Sequence, residues 1–208
     1  MNFKKRSDIH WARKIWHISG VVLIFLLFQI LPTNFSKFLV VLGAILFVSM
    51  DILRKNNKNV NTFFIYYFKP IMRQHEINHL AGTTYLFLGV MILVLFFNPL
   101  VVSLSLLFLA FADPFASYFG IRFGRDKIYG DKTIQGFFAA FLICAGLTIL
   151  YLIYHDLLLD RVILVAVLAG IIGALAELVP IAKLDDNLTI PIVSGLGLSG
   201  LFYLFGFL

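Results

Sequence analysis

The sequence predicts an all-α, polytopic integral membrane protein of about seven transmembrane helices, with its N-terminus in the cytoplasm and its C-terminus outside. Three observations carry that expectation. Of the 208 residues, 61% are hydrophobic and only 13% charged, and the mean hydropathy is +0.94, well outside the range of a soluble domain. Seven apolar runs are long enough to cross roughly 30 Å of hydrocarbon. The basic residues fall almost entirely on one side of the topology those runs define.

The opening MNFKKRSDIHWARK is basic and amphipathic, and an apolar run follows over 15–31. No small-residue cleavage site follows it and the apolar runs continue, so it reads as a first transmembrane helix and not as a signal peptide. The further runs are 38–53, 80–97, 99–119, 133–154, 162–178 and 190–208. The stretch NVNTFFIYYF over 59–68 is too short to span, and its aromatics and the following Pro70 place it in the cytoplasmic headgroup zone. Of the 17 Lys and Arg residues, 15 fall on the side of the N-terminus, Lys183 among them, and only Lys37 and Arg161 on the other. That asymmetry sets the orientation, and it supports seven helices because one more or one fewer would scramble it. The whole of 1–208 then forms one membrane-embedded unit.

The formal charge of +6 carries no basic stripe interleaved with solvent-facing aromatics, which excludes a nucleic-acid partner. The single cysteine, Cys144, lies in an apolar run with no second thiol for a disulfide or a metal site, and is expected to pack. Oligomeric state has no signature.

The polar residues crowd the inner side. There lie His10, Arg13, Lys14 and His17, then Asp51 and Arg54, then Arg73, His75, Glu76 and His79. The central stretch DPFASYFGIRFGRDKIYGDKTIQG, 113–136, and the segment 177–187 join them. Carboxylates in lipid-length helices are costly and rarely idle. Asp113 stands 14 residues after Pro99 and Glu177 stands 15 after Val162, which at about 1.5 Å per residue puts both roughly 21 to 23 Å from the outer ends of their helices. Both sit near helix C-termini, where the macrodipole disfavours an acid and a bound cation would reverse the penalty. Lys132 and Thr133 stand where another helix begins, with free N–H groups suited to a phosphate, and Gly130 and Gly136 permit close approach of a ligand or a helix. Acids on some helices and phosphate donors on their neighbours make a magnesium nucleotide site.

Plainer readings stand beside these. Asp51 and Arg54, three apart, can simply pair. Trp16 and His17 can be headgroup anchors. Asp185 to Asn187 can cap a helix that carries Pro191 in its first turn. Gly195, Gly197 and Gly200 suit close helix packing.

The segments HWARKIWHISG, MRQHEINHLAG, DPFASYFGIRFGRDKIYGDKTIQG and ELVPIAKLDDNLTIPIVSG resemble, in that order and over nearly the whole chain, the motifs of the polyprenol kinase family, which includes CTP-dependent dolichol, phytol and diacylglycerol kinases. The resemblance implies transfer of the γ-phosphoryl group of CTP, with a divalent metal, to a lipid alcohol. It implies nucleotide and metal roles for Asp113, Gly124, Lys132, Thr133, Gly136, Glu177, Asp185, Asp186 and Asn187, with Arg13, Lys14, His17, Arg73 and Glu76 as further polar lining. On this expectation magnesium sits on Asp113 and Asp186, with Asp185 beside them, Lys132 offsets charge, and His17, Glu76 or Glu177 accepts the hydroxyl proton. The chain departs from that family's pattern at Asp131, where its members more often carry Asn, Ser or Lys. The stretch 73–82 is most similar to that of diacylglycerol kinases, and a prokaryotic plasma membrane is the expected host.

Two rival readings follow from the same residues. Phosphatidate cytidylyltransferases carry a central stretch similar to 113–136, but their closing Lys-Arg, Lys-Asp and glycine-rich Asp-Arg segment is absent here and LDDNLTIPIVSG stands in its place. A non-catalytic carrier would use the acids to hold a cation, yet it calls for polar groups at mid-membrane and an internal repeat, and no repeat is seen.

Overall fold

The computed structural model describes residues 10–77, 79–179 and 184–207, with the backbone alone for His75. Lys4, Lys5, Arg6 and Lys183 of the charge count lie outside them. Among the described residues eight α-helices follow one another: α1 (Trp11–Ile30), α2 (Thr33–Asn56), α3 (Lys58–Phe68), α4 (Gly82–Phe96), α5 (Pro99–Phe123), α6 (Ile134–Tyr154), α7 (Val162–Leu178) and α8 (Asp186–Leu204). Among the described residues, α1, α2, α5, α6, α8 and the span Leu159–Leu178 that contains α7 are long and apolar enough to cross a membrane. The expected run 80–97 forms a helix too, but α4 has 15 residues, about 22 Å of rise. It starts late because the backbone N–H of Ala81 is held by Asp51 at 2.7 Å.

Turn chemistry sets several of the boundaries. Asn98 caps α5 by accepting from Leu100 N, with Pro99 in the first turn, and Asn57 caps α3 by accepting from Asn59 and Val60. The segment expected in the headgroup zone is thus an 11-residue helix, with Phe63, Tyr66 and Tyr67 exposed along it. The link between α5 and α6 departs from an all-α chain. Residues Lys127–Tyr129 (β1) pair antiparallel with Lys132–Thr133 (β2) around Gly130, whose φ of 54° suits the first position of a two-residue hairpin turn.

Helix α5 is the central post. One cluster packs its Val101, Leu104 and Phe108 against α6, α7 and α8, and a second packs its Val102, Leu106 and Leu109 against α1, α2, α4 and α8. Small residues set the spacing. A Cβ on Gly89 of α4 would lie 2.7 Å from the carbonyl oxygen of Asn187 on α8, and one on Gly195 would lie 2.9 Å from Leu93. Gly197 packs against Ile172, whereas Gly200 faces open space and has no packing role. Cys144 is buried against Gly173. The N-termini of α1, α4, α6 and α8 and the C-termini of α2, α5 and α7 meet at one end of the bundle, where the polar residues collect.

Candidate active site

Lys132 emerges from β2 directly before the N-cap of α6, so the hairpin fixes where it points. Its Nζ lies 2.6 Å from Glu177 Oε1 and 3.2 Å from Asp186 Oδ2. Glu177 is 3% exposed, so its charge has been withdrawn from water and answered by one lysine. Burial works against the Lys132 charge, but the carboxylates of Glu177, Asp186 and Asp113 outweigh it and hold the ammonium above its ordinary value. Lys132 is therefore a cation at any neutral pH.

Beside this triad a cleft of about 60 Å³ is lined by Asp113, Asp185 and Asp186 on one hand and by Arg13, Lys14, His17 and Arg73 on the other, with His10, Pro114, Ser117 and Asn187 completing it. Helix α1 contributes a face of cations. Lys14 Nζ donates to the carbonyl of Pro114 at 2.8 Å and to Ser117 Oγ at 2.9 Å. His17 Nε2 lies 2.8 Å from the carbonyl of Leu109. A carbonyl only accepts, so Nε2 carries a hydrogen, and in a neutral ring Nδ1 is the nitrogen with the lone pair. These contacts fall on the turns of α5 around Pro114, which has no N–H to give the helix.

Arg13 reaches the other way, pairing with Glu76 at 2.8 Å and donating to the carbonyl of Ile71 at 2.9 Å. Glu76, 2% exposed, also accepts from Arg73 N at 3.1 Å. Its Oε1 faces the Arg13 guanidinium and its Oε2 accepts a backbone N–H, which makes it a poor proton acceptor. Asp185 caps α8 by accepting from Asn187 N at 3.0 Å, as a capping reading of this segment expects, while Asp186 is left for Lys132. Burial pushes the Asp185 carboxyl above its ordinary value, against the opposing pull of the Asn187 N–H and of Arg73 and Arg13. Asn187 Nδ2 donates to the carbonyl of Gly82 at 3.1 Å.

Three of the residues expected to touch nucleotide make contacts of another kind. Thr133 Oγ1 accepts from Gly136 N at 3.1 Å and so caps α6. A Cβ on Gly124 would lie 2.6 Å from Thr133, and one on Gly136 would lie 2.9 Å from the carbonyl oxygen of Ala116 on α5. These three hold α5, the hairpin and α6 together, and Lys132 with them. Gly82 is a residue that sequence reasoning passed over. A Cβ there would lie 2.5 Å from Arg13 and 3.0 Å from Asn187, so only glycine lets α1, α4 and α8 meet at the cleft. Its place at the end of HLAG, just before an apolar run, was the available signal.

Along the other side of Arg13, His17 and Asn187 runs a second cavity, of about 540 Å³ and apolar, between α1, α2 and α4. A charged cleft and a lipid-side cavity thus share a wall.

A mainly helical chain with several helices of membrane length thus sets a cleft of cations and carboxylates against an apolar cavity. Comparison with known proteins narrows this. Over 156 residues the chain is 30% identical to CTP-dependent diacylglycerol kinase 1 of Schizosaccharomyces pombe, covering 69% of this chain and 71% of the relative. To the Saccharomyces cerevisiae protein of the same name it is 26% identical over 208 residues, covering 88% of this chain and 70% of the relative. An uncharacterized protein of Rickettsia prowazekii is 29% identical over 190 residues, 89% of this chain and 91% of that one. No protein-family profile matches the chain, and no solved structure does. The chain belongs to the family of the CTP-dependent diacylglycerol kinases.

Proposed function

We propose that this protein is a CTP-dependent lipid kinase that moves the γ-phosphoryl group of CTP onto the hydroxyl of diacylglycerol at the cytoplasmic face of the membrane. The observation that carries the reading is the shared wall: Arg13, His17 and Asn187 border both the charged cleft and the apolar cavity, so a water-soluble phosphate and a lipid hydroxyl can meet there. The relatives' names supply CTP and diacylglycerol. The motif resemblance keeps a polyprenol as the alternative acceptor.

The 60 Å³ cleft has room for about two waters, which suits the transferred phosphoryl group and leaves the nucleoside at the mouth. Lys14, Arg73 and Lys132 offset the charge on the terminal phosphates, an electrostatic task that suits a loose transition state. The lipid oxygen attacks phosphorus as the bond to the β,γ-bridging oxygen breaks, giving phosphatidate and CDP. His17, with Nε2 on the Leu109 carbonyl, takes the hydroxyl proton at Nδ1 of its neutral ring. Glu177 is less suited because Lys132 already holds it.

A divalent metal fits the donor set. Asp113, Asp185 and Asp186 are hard oxygen donors in one cleft, and no cluster of three or more ligating side chains occurs among the described residues. Magnesium characteristically takes one or two carboxylates and completes its shell with substrate phosphates and water. When bound it would supply further neutralisation of the triphosphate.

The test uses purified protein in detergent with magnesium and CTP labelled on the γ-phosphate, offered diacylglycerol or a polyprenol, with ATP as a parallel donor. Label in phosphatidate from CTP is the expected outcome. Label in the polyprenol alone would change the acceptor. No labelled lipid, with pyrophosphate released from CTP and phosphatidate, would make the protein a cytidylyltransferase.

A further inference from the structure

The apolar cavity has a shape that the kinase reading alone does not require. Helices α1 and α2 are joined through Leu31 and Pro32 yet touch little beyond that link, and the wedge between them is backed by α4 and capped by α3. Along α1 the cavity runs from Arg13 to Phe28, 15 residues or about 22 Å, most of the depth of a ~30 Å hydrocarbon core. Its volume of about 540 Å³ is that of a ligand pocket, within the roughly 300–1,000 Å³ range. Leu23, Leu27, Leu42 and Leu46 line it and are also exposed, so it opens sideways to lipid.

The inner end is polar but balanced. Arg13 is paired with Glu76, and Arg54 with Asp51, so neither guanidinium of the lining is left unpaired to favour an anionic headgroup. Two glycines in the wall behave differently. At Gly43 the place of a Cβ is taken by the ring of Phe87, so this glycine serves packing. At Gly20 nothing lies within 4 Å. Gly20 stands three residues, one turn, beyond His17, so its missing side chain keeps the cavity open next to the point where the hydroxyl reacts.

We infer that the α1–α2–α4 cavity holds an acyl chain of an uncharged glycerolipid, and that Gly20 sets the width available to that chain beside His17. The inference rests on the lipid-kinase reading above for the identity of the lipid. A chain in the cavity exchanges with bilayer hydrocarbon and not with water, so burial of apolar surface contributes little and packing decides affinity. A Cβ at Gly20 meets nothing within 4 Å and leucine has a higher helix propensity than glycine, so the helix should accept a leucine there while space is lost from the cavity.

The experiment compares wild type, Gly20→Ala, Gly20→Leu and Gly146→Leu. Gly146 on α6 also has nothing within 4 Å but does not line the cavity, so it controls for adding a side chain to a lipid-facing helix. Retention of added dioleoylglycerol is read by native mass spectrometry without nucleotide, and KM for dioleoylglycerol and for CTP by label transfer. Gly20→Leu should lower retention and raise the lipid KM about tenfold, the loss of roughly ten atom contacts, with Gly20→Ala intermediate and Gly146→Leu unchanged. The KM for CTP should stay within about twofold in every variant, a difference below ~0.5 kcal/mol. Equal retention by wild type and Gly20→Leu would overturn the inference. Loss of retention in Gly20→Leu, with no labelled lipid even from wild type, would leave the chain site standing and remove the kinase reading instead.

Discussion

Lys132 shows how a catalytic proposal and a stability effect become entangled in one side chain. Its ammonium holds Glu177, which is 3% exposed, and Asp186 at the rim of the cleft. Lys132→Ala should abolish phosphoryl transfer, but it also leaves a buried carboxylate unpaired, at a cost on the order of 3 kcal/mol. Adding Glu177→Gln should restore most of the thermal stability and none of the transfer, since the cation that would meet the phosphates is still missing. Recovery of turnover in the double variant would show that Lys132 serves the fold alone. Asp113→Asn keeps the size of its side chain, so it should abolish transfer while leaving expression and membrane insertion intact; near-normal turnover would remove Asp113 from the site. Both residues were legible in the sequence for a simple reason: an acid in an apolar run, or a lysine where one begins, stands out against its surroundings. Their partners were not legible, because pairing Lys132 with Glu177 depends on how α6 and α7 are rotated against each other.

At the scale of elements, the join between α2 and α4 is built on a buried ion pair whose reach exceeds what its spacing suggests. Arg54, 2% exposed, pairs with Asp51 and also donates to the carbonyls of Glu76 at 2.9 Å and His79. Asp51 in turn accepts from Ala81 N at 2.7 Å and Thr84 Oγ1 at 2.6 Å. The pairing itself could be read from the three-residue spacing. Its purpose could not, because its partners are backbone groups and one threonine hydroxyl of a segment 22 to 33 residues away. The pair positions Glu76, and Glu76 positions Arg13 at the wall between cleft and cavity. Arg54→Ala should therefore destabilise the protein by about 3–5 kcal/mol, seen as a lowered midpoint of thermal unfolding in detergent, and should lower kcat as well. Arg161→Ala breaks an ion pair that is more than half exposed at the opposite end and should change stability by no more than about 0.5 kcal/mol. Equal effects of the two would mean that the α2–α4 join is solvated and does not position the site. The β1–β2 hairpin escaped the sequence reading for another reason: three residues and two are too few to show alternation, and Gly130 alone marks only a turn.

For the molecule as a whole, helix order and most boundaries were legible because composition alternates sharply, and the expected run over 162–178 coincides with α7. The wedge between α1 and α2 was not, since it exists only because α4 packs against α2 while α1 packs against α5. We propose from the charge asymmetry that the polar end faces the cytoplasm; Lys127 lies at that end and Arg161 at the other, both exposed. A direct check places a single cysteine at each position in turn. The native Cys144 is fully buried, so it can stay in place without reacting. In sealed right-side-out vesicles an impermeant maleimide should label Arg161→Cys at once, and should label Lys127→Cys only after the membrane is opened. The reverse pattern would put Lys132, Asp113 and the cleft on the side away from the cell's nucleotide pool. No kinase reading survives that arrangement, because a donor triphosphate made in the cytoplasm would never reach the phosphate-binding end of the bundle.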